Sequence, residues 1–286
     1  MTQLKAPTTY EEQLEILQKR HVVIEDVAAC VAVLESVNYY RLIAYFLPFK
    51  QSDGTYGEGV RFRQAYRIYE FDRKLRGILL AALEEVEIYL RARFAYYHAH
   101  TYGAEGYLET QNFSSRHRAE KFRENLAREV SNNRRSAFVQ HHRERYEGHF
   151  PIWVIVELFS FGMLSQFYGD MKTADQKVLS RALYQTIPKN VVSWLRCCTD
   201  LRNICAHYGR LYFRKFPATP ACVPVGDGEI SRLWGAVLAL RALYPAPDKW
   251  NREVLTQLTA LLEEYEEDIV WEHIGFPPDW KQRLKI

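Results

Sequence analysis

The sequence contains no uncharged apolar run near the ~20 residues that cross a bilayer, and its opening stretch, MTQLKAPTTYEEQ, has no apolar leader core. Neither a membrane span nor a secretory leader is expected, and a cytoplasmic protein is. Cysteine is sparse and unpatterned: five residues, at 30, 197, 198, 205 and 222, with no C-x-x-C spacing. That excludes a disulfide framework and a zinc knuckle and suits a reducing compartment. No G-x-x-x-x-G-K-[ST] loop or G-x-G-x-x-G turn occurs, so no nucleotide or other small-molecule cofactor is expected. His141, His142 and His149 lie beside Glu144 and Glu147, but without H-E-x-x-H or another zinc spacing, and no metal is expected there. Internal repeats and alternating strand patterns are also absent.

What is present is helical periodicity in a chain of 286 residues, 48% of them hydrophobic, ample for a core. The fold class expected is all-α. Thr8 or Thr9 before Glu11-Glu12 marks a capped helix running to about Arg20, and a second helix starts near Asp26. An aromatic stretch from Asn38-Tyr39-Tyr40-Arg41 to Phe49 follows, which serves equally as a packed helix junction or as a surface that stacks on bases. Residues 51–60, with three glycines, separate an N-terminal helical subdomain (1–60) from the remaining core (61–286).

From about Ala65 to His100 one apolar face recurs through Ile68, Phe71, Leu75, Ile78, Leu79, Ala82, Val86, Tyr89 and Leu90, and Gly103 closes it. This predicts a long spine for a bundle. A charged helical arm is expected over about 116–146, on a thin stripe of Phe122, Leu126 and Val130. Pro151 should then open a helix to about Tyr168, in which Gly162 admits a close neighbour. A short helix at 174–184, one from Pro188 ended by Gly209, and two more at 229–243 and 250–270 complete the chain.

The net charge of +3 is unevenly spread. Residues 116–145 hold nine Arg or Lys against four Glu, whereas residues 245–286 hold five against nine acids. A basic middle with an acidic tail suits a protein that grips a polyanion; solvated helix faces account for the same counts. On the former reading Arg134 and Arg135 contact phosphate.

The helix from Pro188 carries the chemistry. On a wheel of about 100° per residue Val191, Trp194, Leu195, Cys198, Leu201 and Cys205 form one stripe. Arg202 falls inside it, so its guanidinium needs a carboxylate, a phosphate or a subunit boundary. Glu84 and Glu87 are candidate partners. Asn203 and His207, four apart, share the adjoining face. With Arg202 they can be offered to one ligand: a histidine that exchanges protons near neutral pH, an arginine fork matched to phosphate, and an amide that orients either. Metal-free RNA cleavage needs those groups, to deprotonate a 2′-hydroxyl, protonate a 5′-oxygen and stabilise the phosphorane. A structural arginine and a histidine that complements the helix dipole explain the same residues. Cys205, in the apolar stripe, reads as a core thiol.

The segment RNICAHYGRL resembles the R-N-x-x-A-H signature of the HEPN superfamily, and its surroundings resemble the AbiD/AbiF-like abortive-infection branch. Further matches run in family order: YEEQLEILQKR, NYYRLIAYFLPF, YEFDRKLRGILLAALEEVEIYLR, PIWVIVELFSFGMLSQFY and GFPPDW. The resemblance implies a HEPN-like helical bundle and a homodimer whose two motifs meet in one cleft. It also implies metal-independent endoribonuclease activity in defence against phage. Arg202, Asn203 and His207 carry over as catalytic residues, with Arg210 and Arg214 as phosphate contacts. RNA is the implied substrate, and a small regulatory RNA is a further candidate partner. After Arg210-Leu211 the family commonly continues toward an Asn-Arg pair, where this chain reads Tyr212-Phe213-Arg214. The competing reading is a HEPN module that binds RNA or protein without cutting.

Overall fold

The computed structural model describes residues 6–286; the first five, part of the stretch read above for a leader, lie outside the described residues. The all-α expectation is borne out: the described residues form helices and turns, with three isolated β-bridges in place of any sheet. Among the described residues no single helix is long and apolar enough to cross a membrane.

Two short helices open the fold. Helix α1 (Tyr10–Gln18) begins in a full capping box, Thr9 accepting from the Glu12 N–H and Glu12 accepting from the Thr9 N–H. Helix α2 (Val27–Ser36) is capped by Asp26. The aromatic stretch folds as α3 (Tyr39–Leu42) and two 3-10 turns, burying Leu42, Tyr45 and Phe46 while Tyr40 stays outside.

The spine is α4, Phe62–Tyr102, 41 residues and therefore ~60 Å long. Of its predicted face, Ile68, Phe71, Leu75, Leu79, Ala82, Val86 and Leu90 are buried, and Ile78 and Tyr89 are partly so. Gly103 ends it at φ +82°, a conformation open to glycine without steric cost.

The arm is helical and consists of two helices, α5 (Ala119–Asn132) and α6 (Ala137–Arg145), broken at Asn133–Ser136. Its stripe is real: Phe122 lies edge-on to Phe159, and Leu126 is buried beside it. The helix expected from Pro151 to Tyr168 is interrupted as well. Helix α7 (Ile152–Ile155) passes into a 3-10 turn, Phe159 turns extended, and Ser160 caps a new helix, α8 (Phe161–Asp170), by accepting from the Met163 N–H. A Cβ on Gly162 would sit 3.6 Å from Thr199 of the helix that begins at Pro188, ordinary contact, so the approach of that helix does not require glycine.

Helices α9 (Thr173–Tyr184) and α10 (Pro188–Ala206) follow, and α10 packs against α4, α8 and α11 (Leu233–Leu243). The predicted α10 stripe is buried throughout, Cys205 included; burial pushes that thiol up to about 12, so it stays protonated and serves as core. The helix expected over 250–270 is a π turn, Trp250–Leu255, that runs into an α-helix, Thr256–Glu264. One continuous apolar core extends from Leu14 to Leu284.

Candidate functional site at the end of α10

Helix α10 stops in a Schellman arrangement. The Tyr208 N–H donates to Cys205 O (3.1 Å) and the Gly209 N–H to Ile204 O (2.7 Å), with His207 as C-cap. The left-handed residue is Tyr208 (φ +56°), not Gly209 as the sequence suggested. Glycine one place later avoids a tight contact: a Cβ on Gly209 would come within 3.0–3.1 Å of Ile204, which would have to shift by a few tenths of an ångström.

The chain leaving α10 is gripped from two directions. From α3, Arg41 Nη1 donates to the Tyr208 carbonyl (2.7 Å), and Arg210 returns the contact by donating to the Ala44 carbonyl. From α4, Arg76 donates to Gly209 O (3.3 Å), and Asp72 accepts from the N–H groups of Leu211 (3.1 Å) and Tyr212 (2.9 Å). Asp72 is fully buried and also accepts from the Tyr45 hydroxyl (2.9 Å) and Arg76 Nη1 (2.6 Å). Burial pushes its carboxyl up, and Arg76 with the two backbone donors opposes that shift. Asp72 and Arg76 were missed in the sequence, although an acid four residues before an arginine inside an apolar face is the signal that could have found them.

His207 is exposed and lines a cleft of about 470 Å³ with Asn38, Tyr40, Arg41, Tyr208 and Arg210. Arg202 lines a different cleft of similar volume, with Glu84, Glu87, Ile88 and Arg91 of α4. Its guanidinium is not turned into the core, as the wheel position implied. The long side chain carries it outward, 35% exposed, to 3.8 Å from Glu87, which settles Glu87 over Glu84 as its partner. Glu87 is already held at 2.6 Å by Arg91, which also donates to the Phe159 carbonyl (2.8 Å). Asn203 is exposed one turn before His207.

A single chain therefore keeps Asn203 and His207 on one face and sends Arg202 to another. Arg210 is half-buried, its guanidinium pKa lowered by burial, and keeps its place in the His207 cleft. Arg214 is partly buried, its Nη1 3.5 Å from Arg210 O. Arg134 and Arg135 are exposed at the break between α5 and α6 and belong to neither cleft. The three histidines at 141, 142 and 149 part company: His142 donates to Phe138 O, His149 pairs with Glu105, and His141 lies edge-on to Tyr146. Among the described residues no group of three His, Cys, Asp or Glu side chains converges on a point that could hold a metal.

Fold and site together define an all-helical protein whose one long helix braces the polar end of another. The chain belongs to the Abi-like protein family, whose profile matches residues 32–213, more than half of the chain, and membership supports a role in abortive infection. The matched span runs from α2 through both clefts to Phe213. No curated protein and no solved structure matches the chain.

Proposed function

We propose that this chain is a metal-independent endoribonuclease of HEPN type, acting in anti-phage defence as a homodimer in the cytoplasm. The observation that carries the reading is the pairing of an exposed His207 with an Arg202 that opens into a separate cleft. Cleavage by 2′-hydroxyl attack needs proton transfer and charge stabilisation at one phosphate, and a second copy, turned about a two-fold axis, supplies the missing member of each pair. His207 exchanges the protons and the partner copy's arginine steadies the phosphorane. Asn203 orients the imidazole or the phosphate. Ile88, 56% exposed in the wall of the Arg202 cleft, offers the apolar surface such a partner would cover. The basic arm, with Arg134 and Arg135 at its turn, adds sequence-independent affinity for RNA, as do Arg210 and Arg214 nearer the motif. The N-terminal helices act as a subdomain that completes the His207 cleft.

Purified protein incubated with RNA in EDTA should cut and leave 2′,3′-cyclic phosphate or 3′-phosphate ends. His207→Ala should stay folded and lower the rate by ~10²–10⁴-fold. Silence of the unaltered protein in EDTA, or undiminished cutting by His207→Ala, would refute the reading.

A further inference from the structure

The cleft beside His207 holds two side chains that the proton chemistry does not use. Tyr40 is 83% exposed and Tyr208 is 68% exposed, and both line that cleft. Tyrosines on the outside of a protein that buries Tyr45, Tyr56, Tyr168 and Tyr212 completely are open to an external partner.

Tyr208 also has an unfavourable backbone. It occupies the left-handed position of the Schellman turn, where glycine or asparagine fits with least strain, and a glycine stands only one residue further on. Strain held in a non-glycine residue beside a site points to use of its side chain. The two segments that carry these tyrosines are joined through backbone: Asn38 accepts from the Tyr40 N–H (2.8 Å), and Arg41, next in sequence, donates to the Tyr208 carbonyl (2.7 Å). Arg41 itself is exposed at the cleft, and Arg210 and His207 complete a rim of positive or protonatable groups.

From this placement we propose that the cleft is a nucleobase subsite for single-stranded RNA. An unpaired base stacks on Tyr208 and Tyr40, while Arg41 and Arg210 face the adjoining phosphate and bring it to His207. A volume of about 470 Å³ is in the range of small-ligand sites. Bases inside a duplex have no free face to offer, so the subsite selects unpaired segments. The proposal rests on the ribonuclease reading for its role in cutting, but its binding half can be measured alone.

The test uses the full chain carrying His207→Ala, so that RNA survives, and the anisotropy of a fluorescein-labelled single-stranded RNA of mixed sequence, free or annealed to its complement. Tyr208→Gly relieves the backbone strain, so weakened binding cannot be laid to unfolding, and Tyr40→Ala removes only an exposed ring. Each should weaken single-strand binding roughly 5- to 100-fold, whereas Tyr208→Phe should bind like its parent. The duplex should bind weakly and equally to all of them. Unchanged single-strand affinity in both Tyr208→Gly and Tyr40→Ala, or a parent that prefers the duplex, would overturn the subsite. Cutting is scored separately in chains that retain His207. Normal cutting with indifferent tyrosine variants removes the subsite and leaves the ribonuclease; absent cutting with tyrosine-dependent binding removes the ribonuclease and leaves the subsite.

Discussion

Asp72 with Arg76, and Glu87 with Arg91, are two acid–arginine pairs on the same helix at the same four-residue spacing, each with a contact of 2.6 Å. They differ in what surrounds them. Around Asp72 every lone-pair direction is taken, by a tyrosine hydroxyl, a guanidinium and two backbone N–H groups, and the carboxylate is sealed from solvent. Glu87 gives one oxygen to Arg91 and leaves the other toward Arg202 in an open cleft. The first pair fixes backbone, holding the chain that follows His207. The second holds the Arg202 side chain loosely, at 3.8 Å, and on the ribonuclease proposal a phosphate would replace Glu87 as its partner. Burial, not spacing, decides which job an i, i+4 pair does.

The largest effect should come from breaking the sealed pair. Asp72→Ala leaves Arg76 and two N–H groups without their acceptor inside the core, and should cost about 3–5 kcal/mol in a denaturant titration. Asp72→Asn, which keeps an acceptor oxygen, should cost less. Equal losses would mean that the charge, not the hydrogen bonds, holds the turn.

A third polar position on α4 sharpens the contrast. His98 is buried among Tyr102, Phe113 and Phe167, and neither ring nitrogen has a hydrogen-bond partner among the described residues. Burial lowers its pKa below the ordinary 6.5, outweighing the opposing pull of the nearby Gly106 backbone and Asp175, so between the two values the unfolded chain binds the proton and the folded one does not. Stability is then complete above about pH 6.5 and falls as the pH drops through that range, by at most about 1.4 kcal/mol per pH unit for this group. His273 is lowered by burial as well and adds to the same trend. Melting temperatures across this range should drop toward acid, and His98→Phe should flatten the curve; an unchanged slope would remove His98 as a cause.

The smallest change in stability belongs to the open pair. Since Arg91 continues to neutralise Glu87 and Arg202 is a third exposed, Arg202→Ala should shift stability by no more than about 0.5 kcal/mol. A cost comparable to that of Asp72→Ala would show that Arg202 is a core residue after all.

Much of this was legible beforehand, for identifiable reasons. The spine helix showed itself because its apolar residues keep one face for ten turns, and the Arg202–His207 segment because its residue types and flanking text are distinctive. The break at Ser160 was hidden by apolar residues on both sides, which continue the helical pattern across a turn. The wheel placed the Arg202 Cα correctly but said nothing of where a long side chain carries its charge. Tyr208 was passed over for Gly209 because glycine is the usual left-handed cap, while the register of the last turn was set by the Ile204 and Cys205 carbonyls. Neither cleft could be read from sequence, since each joins segments more than a hundred residues apart.

On the proposed dimer, each working site takes His207 from one copy and Arg202 from another. Mixing Arg202→Ala with His207→Ala protein, after subunit exchange confirmed by differently tagged chains, tests it directly. Both variants should be inactive alone, and each mixed dimer should regain one site that has both side chains, restoring RNA cutting in EDTA. Exchanged mixtures that remain as inactive as the separate variants would contradict a site shared between copies.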